Sequence, residues 1–443
     1  MTVTPEVTVA LPRDAVAVPA PRARVRARWA EWATPLLAVG CAGGAFAVGC
    51  VDIGRRELWN DEFATWHGAT LSWHQTRMML GNIDLVHAGY YMIMRAWLHV
   101  VGDTPTQLRL PSLLAVAGTA AVLVLVGHRL FGRTVGVAAA ALYAVLPVTS
   151  RYAQEARSYA LVAFLAVLAT WLLLRAEEKP TRLRWTLYGA TVVLVGWLHF
   201  VALLVVAGHL CYVLLAPGKR EWRWQWTVSA GGAPVFGYLT FTWLHLWLSR
   251  YFLFAVPALC LLVAFGAYRV GSALFRYRFP VVGVATAAAA VATLAYLGLP
   301  AQRVVRQSAL DGQPSYVSAT RYLAAHAVPT DGVAFNDGFG GSTDLARNAT
   351  DYQFRATPTR PRDVFLAQAA RHRGWLTALE CADAAACLGG TRRVWLIETG
   401  HRNNSLDGLP KGRATLLKEE FVVRHVESYD KVRVIEMDRK PAP

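Results

Sequence analysis

Long apolar runs fill most of the first 300 residues, and they constrain the fold more than any other feature. A helix needs about 20 mainly apolar residues to cross a bilayer. Only 17% of the residues are charged, whereas soluble domains average roughly 25%. The pattern predicts a mainly α, polytopic transmembrane bundle of about nine spans. The runs lie near 35–51, 107–127, 134–149, 158–174, 185–198, 201–216, 227–248, 251–268 and 280–300.

Two stretches are too long for a single crossing. Residues 185–216 contain no Asp, Glu, Lys or Arg. As one helix this stretch would measure about 48 Å at 1.5 Å per residue, well beyond the roughly 30 Å of a hydrocarbon core. We therefore expect a hairpin that turns near His199 and Phe200. The stretch 227–268 contains one charge, Arg250, and predicts two spans for the same reason.

The basic residues are divided unequally between alternate short loops. One set of loops contains sixteen Lys and Arg, and the other contains three: Arg151, Arg157 and Arg250. Basic loops face the cytoplasm in membrane proteins, so we expect residues 1–34 to be cytoplasmic. The transmembrane domain would span 35–300, with loop 52–106 and the domain 301–443 outside. This topology accounts for most of the net charge of +16. We therefore expect a lipid bilayer as partner and no nucleic acid.

Residues 301–443 predict a C-terminal extracytoplasmic α/β domain, because acidic and basic residues are mixed there as on a soluble surface. The glycine-rich segment 336–341 favours a plain turn, with ligand contact as the alternative. The four histidines of the domain (His326, His372, His401 and His425) are expected at the surface. Strands are predicted at 332–335, 393–397 and 431–435, and helices at 316–326, capped by Pro314-Ser315, and at 362–371.

The cysteines follow the same division of the chain. Four of the six lie in apolar runs, where cysteine behaves as a small hydrophobe. Cys381 and Cys387 lie in the expected outside domain, where oxidation is allowed. They favour a disulfide, with free thiols or metal ligands as alternatives.

Loop 52–106 contains two adjacent carboxylates, Asp61 and Glu62, close to a membrane surface. Like charges raise each other's pKa, and a carboxylate in such a place suits a general base or a metal ligand. The alternative is the solvated face of an interfacial helix, with Trp59, Phe63 and Trp66 in the lipid headgroups.

Three further polar segments lie on the same predicted side. The first contains His87 and runs into Tyr90-Tyr91, and the second is Leu108-Arg109-Leu-Pro-Ser112. The arginine either snorkels to the interface or holds a phosphate, which its planar fork suits. The third is Gln154-Glu155-Ala-Arg157-Ser-Tyr159, between two apolar runs. Ionisable residues at such a place indicate function, unless Glu155 and Arg157 simply pair or end a helix.

In their order and spacing these motifs resemble the GT-C superfamily of integral-membrane glycosyltransferases. The resemblance is closest to the protein-mannosyltransferase-like branch, which includes the Rgt-type and aminoarabinose-transferase-like enzymes. The motifs lie in about residues 55–175, the span pattern extends the similarity to about 300, and Ser249-Arg250-Tyr251-Phe252 resembles a later motif. The chain departs from the branch where His87 is followed by Ala88-Gly89 instead of two prolines. The region between the seventh and eighth runs is also shorter than in relatives.

The resemblance implies sugar transfer outside the cytoplasm from a polyprenyl-phosphate-linked donor. It places the base or catalytic centre at Asp61, with Glu62 beside it. Arg109 and Arg157 match basic positions that hold the lipid phosphate, and a divalent metal is possible but not specified. The acceptor would be a protein, a glycolipid or a cell-wall glycan. The substrate-binding residues expected from the matching motifs are His87, Tyr90, Arg109, Gln154, Glu155, Arg157, Tyr159 and Arg250.

The residues alone favour the same kind of donor. No G-x-G-x-x-G nucleotide fingerprint follows a predicted strand, and nucleotide sugars are not normally available outside. A lipid phosphate is the natural carrier. Two other classes remain open: a transporter or lipid flippase, which would need ionisable residues in mid-span and related halves, and a non-catalytic membrane scaffold that binds through its tail.

Overall fold

A computed structural model describes residues 21–215, 249–274, 280–307, 314–337, 344–357, 360–400 and 402–441. Short 3₁₀ helices lie at Leu85–His87, Phe200–Leu204 and Ser249–Ala255. The α-helices of the described residues are α1 Pro21–Cys50, α2 Asn60–Thr70, α3 Trp73–Asn82, α4 Ala88–Val101, α5 Pro105–Phe131, α6 Arg133–Val145, α7 Pro147–Ala153, α8 Tyr159–Glu178, α9 Arg182–Leu198, α10 Val205–Leu215, α11 Val256–Leu274, α12 Pro280–Val305, α13 Tyr316–His326, α14 Leu345–Gln353, α15 Ala370–Arg373, α16 Ala384–Leu388 and α17 Lys411–Glu420.

Helices long and apolar enough to cross a membrane make up most of the first 300 residues. Among the described residues five helices qualify, or six if the bent pair α6 and α7 counts as one span. The chain is thus a multi-pass membrane protein. The expected hairpin is confirmed: α9 ends at Leu198, and after the break the Tyr188 hydroxyl of α9 lies 3.1 Å from the His209 Nδ1 of α10. The predicted run 227–248 lies outside the described residues, so the total of nine spans stays a prediction.

The third predicted span is not straight. Helices α6 and α7 meet at an angle of 67°. Leu146, between them, is extended because Pro147 follows it. The bend carries Ser150 and Arg151 into the polar end of the bundle. On the other side α6 packs tightly on α5: a Cβ placed on Gly127 would lie 2.4 Å from the Cα of Gly136. Such contacts between small residues let membrane helices approach closely.

The C-terminal domain contains a five-stranded sheet with the order β2-β1-β5-β7-β6. Strand β1 pairs parallel with β2 and β5, whereas β7 pairs antiparallel with β5 and β6. The three predicted strands and the helix at Tyr316–His326 are confirmed, and β6 was not predicted. The strands are β1 Gly332–Asn336, β2 Arg362–Asp363, β3 Leu366–Gln368, β4 Leu379–Glu380, β5 Arg393–Thr399, β6 Phe421–Tyr429 and β7 Val432–Arg439.

The helix predicted over residues 362–371 is wrong. That segment forms β2, β3 and the start of α15 instead. The Val364 N–H donates to the Val333 carbonyl at 3.0 Å, which continues the pairing with β1. Val364 and Phe365 are both buried in the core of the sheet. The sequence pattern of 362–371 also fits a helix. Here the burial of two successive side chains at the edge of the sheet favours the extended conformation instead. The predicted disulfide between Cys381 and Cys387 is confirmed.

The membrane part and the C-terminal domain share one hydrophobic core. Trp66 and Phe63 of α2 pack edge-on against Tyr352 of α14, at ring separations of 5.3 and 5.8 Å. The Trp66 indole N–H donates to Asp103, and the Tyr352 hydroxyl donates to the Asp103 carbonyl. Loop 52–106 therefore lies between the membrane helices and the sheet, and the domain is fixed against it.

The N-terminus of α13 is capped by a residue from loop 52–106. We expected Ser315 to cap this helix, but its hydroxyl donates to the Glu57 carboxylate at 2.8 Å. The same carboxylate accepts the N–H groups of Tyr316 and Val317 at 2.7 and 3.0 Å. A negative charge at a helix N-terminus is stabilised by unsatisfied N–H groups and by the helix dipole. Glu57 therefore ties the two parts together.

Candidate active site

The site is built where α2 begins beside the polar turn between α7 and α8. Asp61 and Glu62 lie in the first turn of α2, where the helix dipole favours negative charge. Adjacent residues on a helix point in different directions. The two carboxylates consequently have separate partners and separate environments, which the sequence alone did not distinguish.

Asp61 faces two arginines. Its carboxylate lies 3.3 Å from the Nη1 of Arg250 and 3.8 Å from the Nε of Arg157. Its side chain is 19% exposed, although Oδ2, the oxygen that faces the arginines, is buried and makes no hydrogen bond to the described residues. Arg157 and Arg250 each also have a buried N–H group, Nη1 and Nε respectively, that makes no hydrogen bond to the described residues. Unpartnered donors beside a partly exposed carboxylate suit a site that receives both a phosphate and a hydroxyl.

Aromatic rings surround Arg250. Its guanidinium lies about 6 Å from the ring centres of Trp59, Tyr159 and Tyr251. Cation–π contacts at this distance are favourable, and they hold the guanidinium at the end of a membrane span. Tyr159 also packs edge-on against Tyr152 at 5.6 Å. Tyr90, another expected binding residue, is only 1% exposed and belongs to the core beneath the site.

Glu62 and Arg109 form an ion pair with no exposed side-chain surface. Arg109 donates to both oxygens of Glu62 at 2.8 Å. Burial alone would raise the pKa of Glu62, but the Arg109 guanidinium more than offsets that effect, and the pKa lies below its ordinary value. Arg109 also donates to the carbonyls of Ile53, Arg56 and Glu57 at 2.8, 2.9 and 3.1 Å.

This pair holds the site together rather than facing it. Glu62 accepts the Ala156 N–H at 2.9 Å, which joins α2 to the turn that carries Arg157. We expected Arg109 to hold the lipid phosphate and Glu62 to share the chemistry with Asp61. The Nε, Nη1 and Nη2 groups of Arg109 all donate to Glu62 or to backbone carbonyls. We therefore propose a positioning role for both residues.

The turn Gln154–Ser158 brings the remaining polar residues together. The Gln154 amide donates to the carbonyls of Gly49 and Val51 at 2.9 and 2.6 Å, so it fastens the end of α1. Glu155 is buried and pairs with Arg151. Burial raises the pKa of Glu155 to about 7, although Arg151 acts in the opposite direction. The alternative of a Glu155–Arg157 pair is not what forms, because Arg157 turns to Asp61.

His87 supports Arg157 from the other side. The Arg157 Nη2 lies 2.9 Å from the His87 Nε2, which therefore accepts the hydrogen bond. Burial, reinforced by Arg157, lowers the pKa of His87 to about 3 and keeps its ring neutral. Asp84 lies 3.9 Å from His87 and accepts the Tyr91 hydroxyl. The missing prolines after His87 thus do not prevent this segment from reaching the site.

The residues do not fit a metal ion held by the two adjacent carboxylates. Glu62 is engaged by Arg109, and Asp61 faces two cations. Within the described ranges no group of three or more His, Cys, Asp or Glu side chains is arranged to hold a metal. We therefore derive no step through a metal.

The comparisons agree with this architecture. A family model described as dolichyl-phosphate-mannose-protein mannosyltransferase matches residues 88–247. Two solved structures of ArnT from Cupriavidus metallidurans have the same fold. The apo structure gives a TM-score of 0.55 at 14% identity, and the structure bound to undecaprenyl phosphate gives 0.54 at 13%. Each match covers 90% of this chain and 97% of the other. No curated protein matches the sequence significantly.

The family model matches just over a third of the chain, and the two solved structures share its fold over nearly the whole length.

Some residues at the candidate site were not predicted from the sequence. His199 packs against Tyr251 at 4.8 Å and against Tyr159 at 5.9 Å. Its signal was a histidine in a charge-free apolar stretch, which we interpreted only as a turn. The C-terminal domain contributes Asn348 and Trp375 to a cavity beside Asp61. No local pattern marks either residue, because each lies almost 300 positions or more from Asp61 in the sequence.

Proposed function

We propose that this protein transfers a sugar from a polyprenyl-phosphate-linked donor to an acceptor hydroxyl outside the cytoplasm. The observation that carries the proposal is the meeting of Asp61 with Arg157 and Arg250 at the polar end of the bundle. The excess of basic residues in the opposite loops supports an extracytoplasmic site. The family match and the ArnT structure bound to undecaprenyl phosphate support the lipid donor.

The chemistry is a displacement at the anomeric carbon. The acceptor oxygen forms a bond to that carbon while the bond from carbon to phosphate oxygen breaks, and the electron pair leaves with the lipid phosphate. Arg157 and Arg250 stabilise the charge that develops on the phosphate, as fixed cations do at a leaving group. Asp61 takes the proton of the acceptor hydroxyl.

The ion pairs of Asp61 give the two steps an order. In the structure the arginines face the carboxylate. A phosphate offers a guanidinium more acceptor oxygens than a carboxylate does. Donor binding would therefore draw Arg157 and Arg250 away from Asp61 and leave its carboxylate free for the acceptor. The assay identifies the sugar as a pentose or a hexose. It also identifies the acceptor as a protein, a glycolipid or a cell-wall glycan.

The test is sugar transfer from a panel of radiolabelled polyprenyl-phosphate sugars by membranes that contain the protein. Arg250→Met would be compared with Arg269→Met, an exposed arginine at the other end of the same span. The proposal requires transfer by the wild type and by Arg269→Met, and weaker binding of undecaprenyl phosphate by purified Arg250→Met. Equal binding of undecaprenyl phosphate by both variants, or none by the wild type, would contradict it.

A further inference from the structure

A cavity of about 280 Å³ opens beside Asp61 on the side of the C-terminal domain. Asp61, His67 and Arg157 line one wall. Asn348, Trp375 and Thr377 of the C-terminal domain line the other. Arg250, which comes from the membrane helix, is not among the lining residues. Asp61 therefore lies between the Arg250 guanidinium at the membrane and a polar chamber that Arg157 also lines.

The chamber has the size and chemistry of a site for a sugar residue. Its volume is just below the range of roughly 300–1,000 Å³ that is typical of small-molecule sites, which suits one or two sugar rings. Carboxylate, guanidinium, amide, imidazole and hydroxyl groups line it together with one large aromatic ring and the aliphatic side chains of Ala64, Ile83 and Leu376. A sugar ring offers hydroxyls to such groups and an apolar C–H face to an aromatic ring.

The backbone at Trp375 is anchored by hydrogen bonds and close packing, although the residue is 37% exposed. It lies in the segment between β3 and β4, and its N–H donates to the Ala370 carbonyl at 3.3 Å. The preceding residue, Gly374, has φ +70° and packs so closely that a Cβ would lie 2.9 Å from the Met78 side chain. The Asn82 amide donates to the Gly374 carbonyl at 3.1 Å. An exposed tryptophan on a fixed backbone loses little entropy when a ligand stacks on it.

His67 gives independent evidence for a ligand. Its side chain is buried, with 9% exposure, and its Nε2 makes no hydrogen bond to the described residues. An unpartnered buried polar atom in the wall of a cavity normally has a water or ligand partner. Burial, with Arg371 nearby, lowers the pKa of His67 to about 4, so the ring is neutral and suits a hydroxyl.

We propose that this cavity is the acceptor subsite and that it binds a sugar residue of a glycan. The sugar stacks on Trp375, hydrogen-bonds to Asn348 and His67, and presents its reacting hydroxyl to Asp61. The proposal rests on the proposed function, since it specifies the acceptor of the same reaction. It makes the C-terminal domain a part of the active site.

The test uses the full chain in nanodiscs and two measurements on each preparation. The first is binding of undecaprenyl phosphate, which reports an intact donor site. The second is binding of three probes: free hexose and pentose oligosaccharides, the same oligosaccharides attached to a lipid, and a Ser/Thr-rich peptide. The variants are Trp375→Ala, Trp375→Phe and the control Trp73→Ala. Trp73 is 64% exposed and does not line the cavity.

We expect Trp375→Ala to weaken oligosaccharide binding at least about tenfold, as truncation of a central tryptophan commonly does. Trp375→Phe should recover part of this loss, because it keeps an aromatic face, and Trp73→Ala should bind as the wild type does. All should bind undecaprenyl phosphate equally. Binding of free oligosaccharides identifies a glycan polymer, and binding only of the lipid-linked probe identifies a glycolipid. Either result supports the subsite.

The proposal is overturned if Trp375→Ala binds oligosaccharides as tightly as Trp73→Ala. It is also overturned if the wild type binds undecaprenyl phosphate and the peptide but none of the oligosaccharides. Failure of the wild type to bind undecaprenyl phosphate would instead contradict the proposed function. The two failures are therefore distinguishable.

Discussion

Replacing Arg109 by methionine distinguishes a positioning role from a donor-binding role. The Arg109 and Glu62 side chains are 0% exposed. The substitution leaves the Glu62 carboxylate buried without its cation and three backbone carbonyls without their donor. Removing one partner of a buried ion pair costs about 3–5 kcal/mol. The unfolding entropy is about 2.1 cal/mol/K per residue, or about 0.9 kcal/mol/K for the 443 residues of this chain. The melting temperature should therefore fall by about 3–5 °C.

The assay is thermal denaturation of the purified protein, read as the fraction that stays monodisperse after heating. The matched control is Arg55→Met. Arg55 is 62% exposed and lies 3.8 Å from Asp52, so its loss should cost about 1 kcal/mol at most. The double variant with Glu62→Gln should recover part of the stability, since no charge is then left unpaired. An unchanged melting temperature together with lost binding of undecaprenyl phosphate would refute the positioning role.

Two further predictions concern the interface and the pH dependence. Glu57→Ala should destabilise the fold by about 1–2 kcal/mol, because α13 loses its cap, and its melting temperature should fall accordingly. The melting temperature of Glu57→Gln should lie between those of Glu57→Ala and the wild type. An unchanged melting temperature for Glu57→Ala would contradict the capping role. His87 has a pKa of about 3 in the fold and about 6.5 when unfolded, so the unfolded chain binds the extra proton and stability falls as the pH drops from 6.5 towards 3. Melting temperatures measured across this range should depend less on pH in His87→Gln than in the wild type, and equal slopes would exclude His87 as a source.

The sequence was sufficient for the parts of the fold that depend on local periodicity. The apolar runs predicted the spans, and the lack of charge over 185–216 predicted the break that the structure places at His199. The 362–371 segment was misread, because a short amphipathic pattern also fits an edge of a sheet. Whether Val364 becomes part of a helix or lies beside β1 depends on a strand thirty residues earlier.

The candidate site could be predicted only in outline. The motifs pointed to Asp61, Arg157 and Arg250 as site residues. The structure places the guanidinium groups of both arginines within 4 Å of the Asp61 carboxylate. The motifs did not show which arginine would keep a donor available for a ligand. Arg109 and Arg157 look alike in sequence. Arg109 is enclosed by carbonyls and Glu62, whereas one N–H group of Arg157 has no partner among the described residues. That difference depends on tertiary contacts with loop 52–106.

The C-terminal contribution was beyond reach of the sequence. Trp375 reaches the cavity because Gly374 docks on α3 and because Tyr352 fixes the domain on α2. Neither contact has a local signature, since each joins segments more than 250 residues apart. A deletion of the domain would therefore remove one wall of the cavity as well as the part of the core that covers α2.

The measurement that tests the central claim most directly is sugar transfer by Asp61→Asn at matched donor binding. Asparagine keeps the size and hydrogen-bonding capacity of the residue but cannot take the acceptor proton. General-base catalysis typically contributes 10²–10⁴-fold. We therefore expect transfer to fall at least roughly a hundredfold, while undecaprenyl phosphate binding stays equal to or tighter than that of the wild type. Transfer at the wild-type rate by Asp61→Asn would contradict the assignment of Asp61 as the base.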